Sequence, residues 1–302
     1  METSDRVPLT QSSLRTLGSC EEKYRLRYIE GLRSSAYRPA LTIGTAFHAG
    51  IELGSADAAA ESYRTARTPS WGPPLSDLDL EAMKRDEAVL RAMVDGALRL
   101  WTTWPARREV EFSLPLRNPA TGAPSTRHVF SGVFDGLWED LDGRPVLLEM
   151  KTTSRLDADY LRRLDLDPQI SAYCHAASAL LETPVREVVY RVVRKPSIRQ
   201  RKTESVEGYA ERVAADYLER PDFYLAEEVV RRSEEELDRW WHEAWEIHRR
   251  VLRLEAGEMS VRNTQHCLDF GRCAYFDLCR GVTNAEAFES LDNVHPELGS
   301  GQ

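Results

Sequence analysis

The sequence is poor in cysteine and has no long apolar run, and each shortage excludes something. No stretch among its 302 residues approaches the roughly 18–20 apolar residues that a membrane-spanning helix needs, so no membrane partner is expected. The opening METSDRVPLT lacks both the basic and the apolar region of a secretory signal, which makes the cytoplasm the expected compartment. Thiols stay reduced there, so the five cysteines read as metal ligands or core residues rather than disulfides. No G-x-x-x-x-G-K-[ST] segment occurs, and a phosphate-binding loop for ATP of that kind is absent. Basic residues are also in deficit. Forty Lys and Arg against 49 Asp and Glu leave a formal charge of −9, which argues against a basic coat gripping nucleic acid everywhere. One local track survives the deficit: RVVRKPSIRQRK, residues 191–202, carries six cations and no acid. Alone it is a solvated loop or a phosphate-contacting segment.

What is present is the mixture of a soluble chain with a large core, 42% hydrophobic and 29% charged. TQSSLRTLGSCEEKYRLRYIEGL opens on a Thr/Ser cap and carries apolar residues at helical spacing. A second helix starts near Ile43, residues 68–77 are a Pro- and Gly-containing loop, and a long amphipathic helix runs to about Trp104. Strands are expected at 108–116, 127–140 and 144–153, with Asp142-Gly143 marking a hairpin turn between the last two. Helices near 168–182, from 207 and at 233–256 alternate with strands at 186–194 and 222–231, and the tail from 289 reads as polar and frayed. The pattern predicts an α/β fold with a mixed central β-sheet flanked by helices.

The chemistry concentrates in GVFDGLWEDLDGRPVLLEMKTT. Glu149 and Lys151 lie two apart on a strand and share a face. A hairpin turning around Leu141–Arg144 puts Asp135 opposite residues 149–151, where cross-strand neighbours sit about 5 Å apart. Two carboxylates so close repel, and burying them unpaired is costly. A hard divalent cation such as Mg²⁺ or Mn²⁺ resolves that conflict, while a surface ion pair with Lys151 is the plainer alternative. Upstream, IGTAFHAGIE places His48 on a helix with Glu52 one turn later; downstream, Gln169 and Tyr173 stand at i and i+4.

In order, Gly44-x-x-x-His48, Gly132-x-x-Asp135, Glu149-x-Lys151 and Gln169-x-x-x-Tyr173 resemble the RecB-type nuclease domain of the PD-(D/E)XK superfamily over roughly residues 10–280. Phe134 stands where the superfamily's name has proline. The resemblance implies a restriction-endonuclease-like core at about 40–232 within one nuclease domain, 1–302, and a Mg²⁺- or Mn²⁺-dependent deoxyribonuclease, probed first as an exonuclease, in DNA repair, recombination or the processing of phage or mobile-element DNA. His48, Asp135, Glu149 and the Met150 carbonyl are then the metal ligands, with Glu111 or Glu52 as a further carboxylate. Lys151 orients water or steadies charge on the phosphate, and Gln169 and Tyr173 position DNA or brace the site. Arg155, Arg194, Lys195, Arg199 and Arg201 are candidate phosphate contacts, and a separate helicase or recombination protein is a candidate partner.

QHCLDFGRCAYFDLCRG, residues 265–281, spaces Cys267, Cys273 and Cys279 by two equal gaps, leaving Cys20 and Cys174 elsewhere. A metal site usually takes four protein ligands. Cys174, beside Tyr173 in a helix, reads as a core residue. A lone N-terminal cysteine with a C-terminal trio resembles the iron–sulfur subgroup of RecB-type nucleases, which includes AddB-type and CRISPR-associated RecB-like enzymes. That resemblance implies a [4Fe–4S] cluster on Cys20, Cys267, Cys273 and Cys279, joining segments 10–35 and 233–281 ahead of a tail at 282–302. The first gap is C-x5-C where those enzymes commonly show C-x2-C. Zinc, with His242 or His266 as additional ligands, is the rival. Two other readings of the whole chain stand beside the nuclease: a catalytically silent DNA-binding or scaffold protein, and a zinc-stabilised regulatory protein.

Overall fold

Thr10 starts the ordered helical part of the chain by accepting a hydrogen bond from the Ser13 N–H while the Ser13 hydroxyl answers the Thr10 N–H. The computed structural model describes residues 6–33, 39–68, 75–269, 271–291 and 293–298; part of the expected loop at 68–77 lies outside them. A short strand, β1 (Val7–Leu9), precedes α1 (Gln11–Ser19), α2 (Glu21–Tyr24), a π-helical turn (Arg25–Ile29) and β2 (Leu32–Arg33). Then come α3 (Pro39–Glu52), α4 (Ala56–Arg67) and α5 (Asp77–Leu100), the last opened by a reciprocal Ser76–Asp79 cap.

Three strands follow: β3 (Arg107–Arg117), β4 (Pro124–Glu139) and β5 (Pro145–Thr153). The β4–β5 turn uses Gly143 at φ 75°, and the Asp140 carboxylate accepts from the N–H groups of Asp142 and Arg144. Next are α6 (Ala158–Arg162), a 3₁₀ turn (Arg163–Leu166) and α7 (Pro168–Leu181), which has Asp167 as its cap and proline at its first position. The chain continues through β6 (Glu187–Arg194), α8 (Val206–Glu219), α9 (Pro221–Tyr224), β7 (Leu225–Arg231), α10 (Glu234–Glu255), α11 (Phe276–Cys279) and β8 (Glu289–Ser290).

The main sheet runs β1-β4-β5-β6-β7, with β3 also paired to β4. It is mixed: β1 is parallel to β4 and β5 to β6, while β3–β4, β4–β5 and β6–β7 are antiparallel. One apolar core on one face joins Leu14, Leu17, Phe130, Phe134, Ile170 and Trp240, and so lies beneath α1, α7 and α10. The other joins Phe47, Met93, Leu148, Met150, Val193 and Val213, beneath α3, α5 and α8. Within α10, Trp240, Ala244, His248, Val251 and Leu254 are buried, an apolar stripe at helical spacing. The expected central mixed sheet flanked by helices is the architecture observed.

Strand β4 has three partners but only two edges. Phe130 pairs with both Leu9 of β1 and Leu114 of β3, so those two strands lie on opposite edges. Leu137 likewise pairs with both Leu147 of β5 and Arg107 of β3. Strands β1 and β5 therefore share one edge of β4, at Phe130 and below, and at Gly136 and beyond. The stretch 131–135 between them has no described ladder partner on that edge. This gap positions the site.

The tail departs from expectation. Its residues 289–290 pair with 32–33, His295 stacks on Tyr28, and His295 and Leu298 are buried. The Thr10 hydroxyl donates to the Glu297 carboxylate, 2.6 Å away. Polar composition suggested fraying, but Leu298 and the His295 ring find partners in the N-terminal segment that local sequence does not reveal. Among the described residues, no helix is long and apolar enough to cross a membrane.

Candidate active site

Asp135 stands where the β4–β5 ladder stops. The last pair of the ladder is Gly136 with Leu148, and the Asp135 Oδ2 then accepts a hydrogen bond from the Met150 N–H at 2.5 Å. A side chain takes the place of a strand carbonyl, and the two strands part around it. Gly132, earlier in the same motif, has a packing reason: a Cβ there would come within 2.6 Å of the Phe112 ring. Phe112 also stacks on Phe134, 4.5 Å between centroids, so an aromatic residue fills the position before Asp135.

Across the gap, β5 presents Glu149 and Lys151 toward α7. The Lys151 ammonium pairs with the Glu149 carboxylate, and Gln169 Nε2 donates to the same Oε1 at 2.9 Å. The other carboxylate oxygen, Oε2, is buried with no hydrogen-bond partner. Tyr173 packs edge-on against Phe112 and Phe134 one turn along α7 from Gln169. Helix α7 is itself pinned by the buried Arg232: Nε donates to Ser171 Oγ at 3.0 Å, and Nη2 donates to the Leu164 and Asp167 carbonyls at 2.7 and 3.2 Å.

His48 arrives from the other side of the sheet on α3. Its Nδ1 lies 3.4 Å from Asp135 Oδ1, and its ring lies beside the Met150 backbone. The third member is Glu109 of β3. One ligand-type atom each from His48, Glu109 and Asp135 lies within 4.8 Å of the others. The β3–β4 ladder pairs Arg108 with Gly136 and Val110 with Phe134 but skips the residue between, because Glu109 adopts a left-handed backbone, φ 46°. That conformation costs a non-glycine residue on the order of 1 kcal/mol.

The electrostatics follow from crowding. Burial, then the charges of Asp135, Glu52 and Glu149, push the Glu109 carboxyl up to about 8. Asp135 and Glu149 are both raised, by burial first, with Asp135 adding to the effect on Glu149 and Lys151 opposing it. Burial would lower Lys151, but Glu149 and Asp135 outweigh it and keep the ammonium charged. His48 is lowered to about 4 by burial and by the Lys151 charge, so its ring is neutral and available as a ligand. Burial and the neighbouring carboxylates raise the Tyr173 hydroxyl far above its ordinary range. Three acids and a neutral imidazole around one point are a set that a cation would relieve.

The gap thus brings together His48, Asp135, Glu149, the Met150 backbone, Lys151, Gln169 and Tyr173. Glu111 lies outside this group: it is exposed on β3 in register with Val133. The carboxylate beside Asp135 is Glu109, two residues earlier, which the strand's alternation alone did not single out. Glu52 is exposed at the end of α3, within electrostatic reach of Glu109.

The basic candidates are dispersed. Arg155 is exposed and ion-paired with Asp157. Arg194 stacks on Phe223, 4.0 Å from its centroid, and Lys195 continues from β6 with its N–H bonded to the Thr153 carbonyl. Arg199 and Arg201 are exposed, whereas Arg191, first in the basic track, is buried.

Cys20 and the C-terminal cysteines lie far from the gap in sequence, where the two ends of the chain meet. Cys20 Sγ accepts from the Asn263 N–H at 3.5 Å, Glu21 pairs with Arg250 at 2.7 Å, and the Glu22 N–H donates to the Val261 carbonyl. Burial and the proximity of Cys273 and Cys20 raise the Cys267 thiol, and Cys279 is pushed up to about 11 by burial, Glu22 and the same two thiols. Cys174 is buried in α7, as expected of a core residue, and burial raises it to about 12. His242 is exposed, and His266 pairs with Asp269.

Comparison with known proteins agrees with the architecture. No curated protein gives a significant sequence match. A crystal structure of a protein from Eubacterium rectale, described as a "Putative exonuclease", is similar with a TM-score of 0.51 and 13% identity, over 99% of this chain and 95% of that one. At that identity the likeness is one of fold. Residues 8–280 match the family model of the PD-(D/E)XK nuclease superfamily. The sheet, its gap and the acids around it therefore have a family context: this chain belongs to the PD-(D/E)XK nuclease superfamily.

Proposed function

We propose that the chain is a Mg²⁺- or Mn²⁺-dependent deoxyribonuclease that hydrolyses phosphodiester bonds from DNA ends. The observation that carries this reading is the convergence of His48, Glu109 and Asp135 within 4.8 Å at the gap in the sheet, beside Glu149 and Lys151. The donor set fits a hard divalent ion: carboxylate oxygens and one neutral imidazole, with an unpartnered Glu149 oxygen buried nearby. His48, Glu109 and Asp135 would hold it, with Glu149 and the Met150 carbonyl as neighbouring donors. Such an ion, when bound, supplies Lewis acidity toward a phosphoryl oxygen and lowers the pKa of water.

The protein's own groups do the rest. Lys151, charged and held by Glu149, is placed to orient the attacking water and offset charge developing on the phosphate. Gln169 fixes the Glu149 carboxylate by its hydrogen bond, and Tyr173, packed on Phe112 and Phe134, braces the same face of α7. Glu149, drawn between Lys151 and Gln169, keeps the ammonium from wandering. Arg194, the last residue of β6, with Lys195, Arg199 and Arg201 beyond it, are proposed phosphate contacts, and Arg155 joins them once its ion pair opens. A separate helicase or recombination protein is a fitting partner for a chain without an ATP-binding loop.

A [4Fe–4S] cluster on Cys20, Cys267, Cys273 and Cys279 is proposed as the clasp of the chain ends. Support comes from the placement of the thiols: Cys20 Sγ accepts from the Asn263 N–H just ahead of the C-terminal trio, and Cys20 and Cys273 act electrostatically on both Cys267 and Cys279.

The test is cleavage of end-labelled single- and double-stranded DNA, and of closed circles, with Mg²⁺ or Mn²⁺. Wild type is expected to degrade linear DNA and Lys151→Ala to lose at least about 100-fold of that activity. Activity unchanged by the substitution contradicts the mechanism, and efficient cutting of closed circles contradicts the requirement for ends.

A further inference from the structure

His48 and Glu109 approach each other from different elements, and neither element alone fixes their separation. Helix α3 ends at Glu52, one turn past His48, and the N–H groups of Leu53, Ser55 and Gly54 turn back onto its Ala49, Gly50 and Ile51 carbonyls, each of which keeps a second lone pair. Arg108, the residue before Glu109, supplies donors: its Nη1 bonds the Ile51 carbonyl and reaches the Glu52 carbonyl at 3.2 Å. A cation is favoured at this end of a helix, and a planar guanidinium can bond carbonyls while stacking on an aromatic ring.

Arg108 does both. Its Cζ lies 5.3 Å from the centroid of Trp104, whose indole N–H donates to the Trp101 carbonyl at 2.9 Å. Arg191, buried between sheet and helices, places its Cζ 4.9 Å from each of the two indole rings and donates from Nε to Glu227 at 2.6 Å. Arg191 is also the register partner of Met150, whose N–H donates to Asp135. A continuous chain of contacts therefore links the end of α3 to the β5–β6 ladder through Arg108, Trp104 and Arg191, with Trp101 set edge to face against Trp104. Glu109 adopts its left-handed conformation between two laddered neighbours, Arg108 and Val110.

We infer that Arg108 is a positioning residue that sets the distance between His48 and Glu109, clamping the C-terminus of α3 to β3 so that the two ligands meet Asp135 at one point. The inference rests on the proposed metal site. Arg108 is not among the cation's proposed ligands; it acts through the two elements it joins. Loosening it lets α3 slide relative to β3 and relaxes Glu109 toward an ordinary extended backbone, widening the cluster.

The experiment is Mn²⁺ binding by the full chain, followed as loss of the free-ion electron paramagnetic resonance signal, for wild type, His48→Ala, Arg108→Gln and Arg108→Lys. Arg108→Gln is expected to weaken Mn²⁺ binding about 10-fold, the scale on which supporting residues act on metal sites, and Arg108→Lys less, with cooperative thermal unfolding kept. His48→Ala should remove the site. Arg108→Gln binding within twofold of wild type, while His48→Ala does not bind, overturns the clamp and leaves the site standing. No change in His48→Ala overturns the site itself. If Arg108→Gln does not fold, Arg108→Lys decides: wild-type affinity in that variant reduces Arg108 to a charge cap and contradicts the clamp.

Discussion

The Asp135 carboxylate and the Met150 N–H are bonded across two strands that no longer pair, 15 residues apart in sequence. This bond makes Asp135 a structural part of the opening as well as an acid within it, and the two roles separate by substitution. Asp135→Asn keeps an oxygen to accept from Met150 and should fold with nearly wild-type stability while losing nuclease activity. Asp135→Ala leaves a buried N–H unpaired, a loss of about 1–3 kcal/mol, and should show a lower unfolding midpoint in urea as well. Equal stability of the two variants would contradict this view of the gap.

Glu109 and Glu111 sit on the same strand but differ in consequence. Glu109→Gln is expected to reduce Mn²⁺-supported cleavage at least about 10-fold, and Glu111→Gln, at an exposed position, to leave it near wild type. Glu109→Gly should raise the thermal midpoint of the metal-free protein, because glycine adopts the left-handed backbone freely and removes a carboxylate from a crowded cluster. A Glu109→Gly protein that is both less stable and fully active would show that the strain has no part in the site.

How much of this was readable beforehand depended on how local the information is. The hairpin around Asp142-Gly143 fixes Asp135 against β5 within one short segment, and the sequence predicts it. His48, Gln169 and Tyr173 are signalled by order and spacing, though only the folded chain shows that α3 and α7 reach the gap from opposite faces. Glu109 was hidden for a physical reason: regular alternation makes 109 and 111 equivalent, and only the antiparallel register with β4 and the left-handed turn at 109 distinguish them. The β1 pairing and the docking of Leu298 join residues more than a hundred positions apart, which no periodicity encodes.

The clasp makes its own prediction. Protein purified without oxygen should be brown and carry about four irons per chain. Cys20→Ala should lose most of that iron, and Cys174→Ala, whose sulfur lies in the α7 core, should keep it. Full iron content in Cys20→Ala, or zinc in place of iron in wild type, contradicts the assignment.

Acid sensitivity should arise at the far end of α10. His248 is buried there, with Nε2 against Ser125 Oγ at 3.2 Å, its ring 5.2 Å from that of His128 and Glu255 nearby. Burial, then the neighbouring His128, lowers it to about 4. A histidine depressed in the folded state binds its proton more readily when unfolded. Its contribution to stability is therefore complete above pH 6.5 and is lost as pH falls toward 4. Unfolding midpoints measured across that window should fall less steeply for His248→Gln than for wild type, and identical slopes would assign the acid sensitivity elsewhere.

The central claim, that residues from both faces of the sheet meet at one cation through the gap in β4, is tested most directly by anomalous diffraction at the manganese edge from crystals soaked in Mn²⁺. The account predicts a peak bounded by His48, Glu109 and Asp135 that disappears in Asp135→Asn. Manganese found elsewhere in crystals of active enzyme, with nothing at that position, would contradict it.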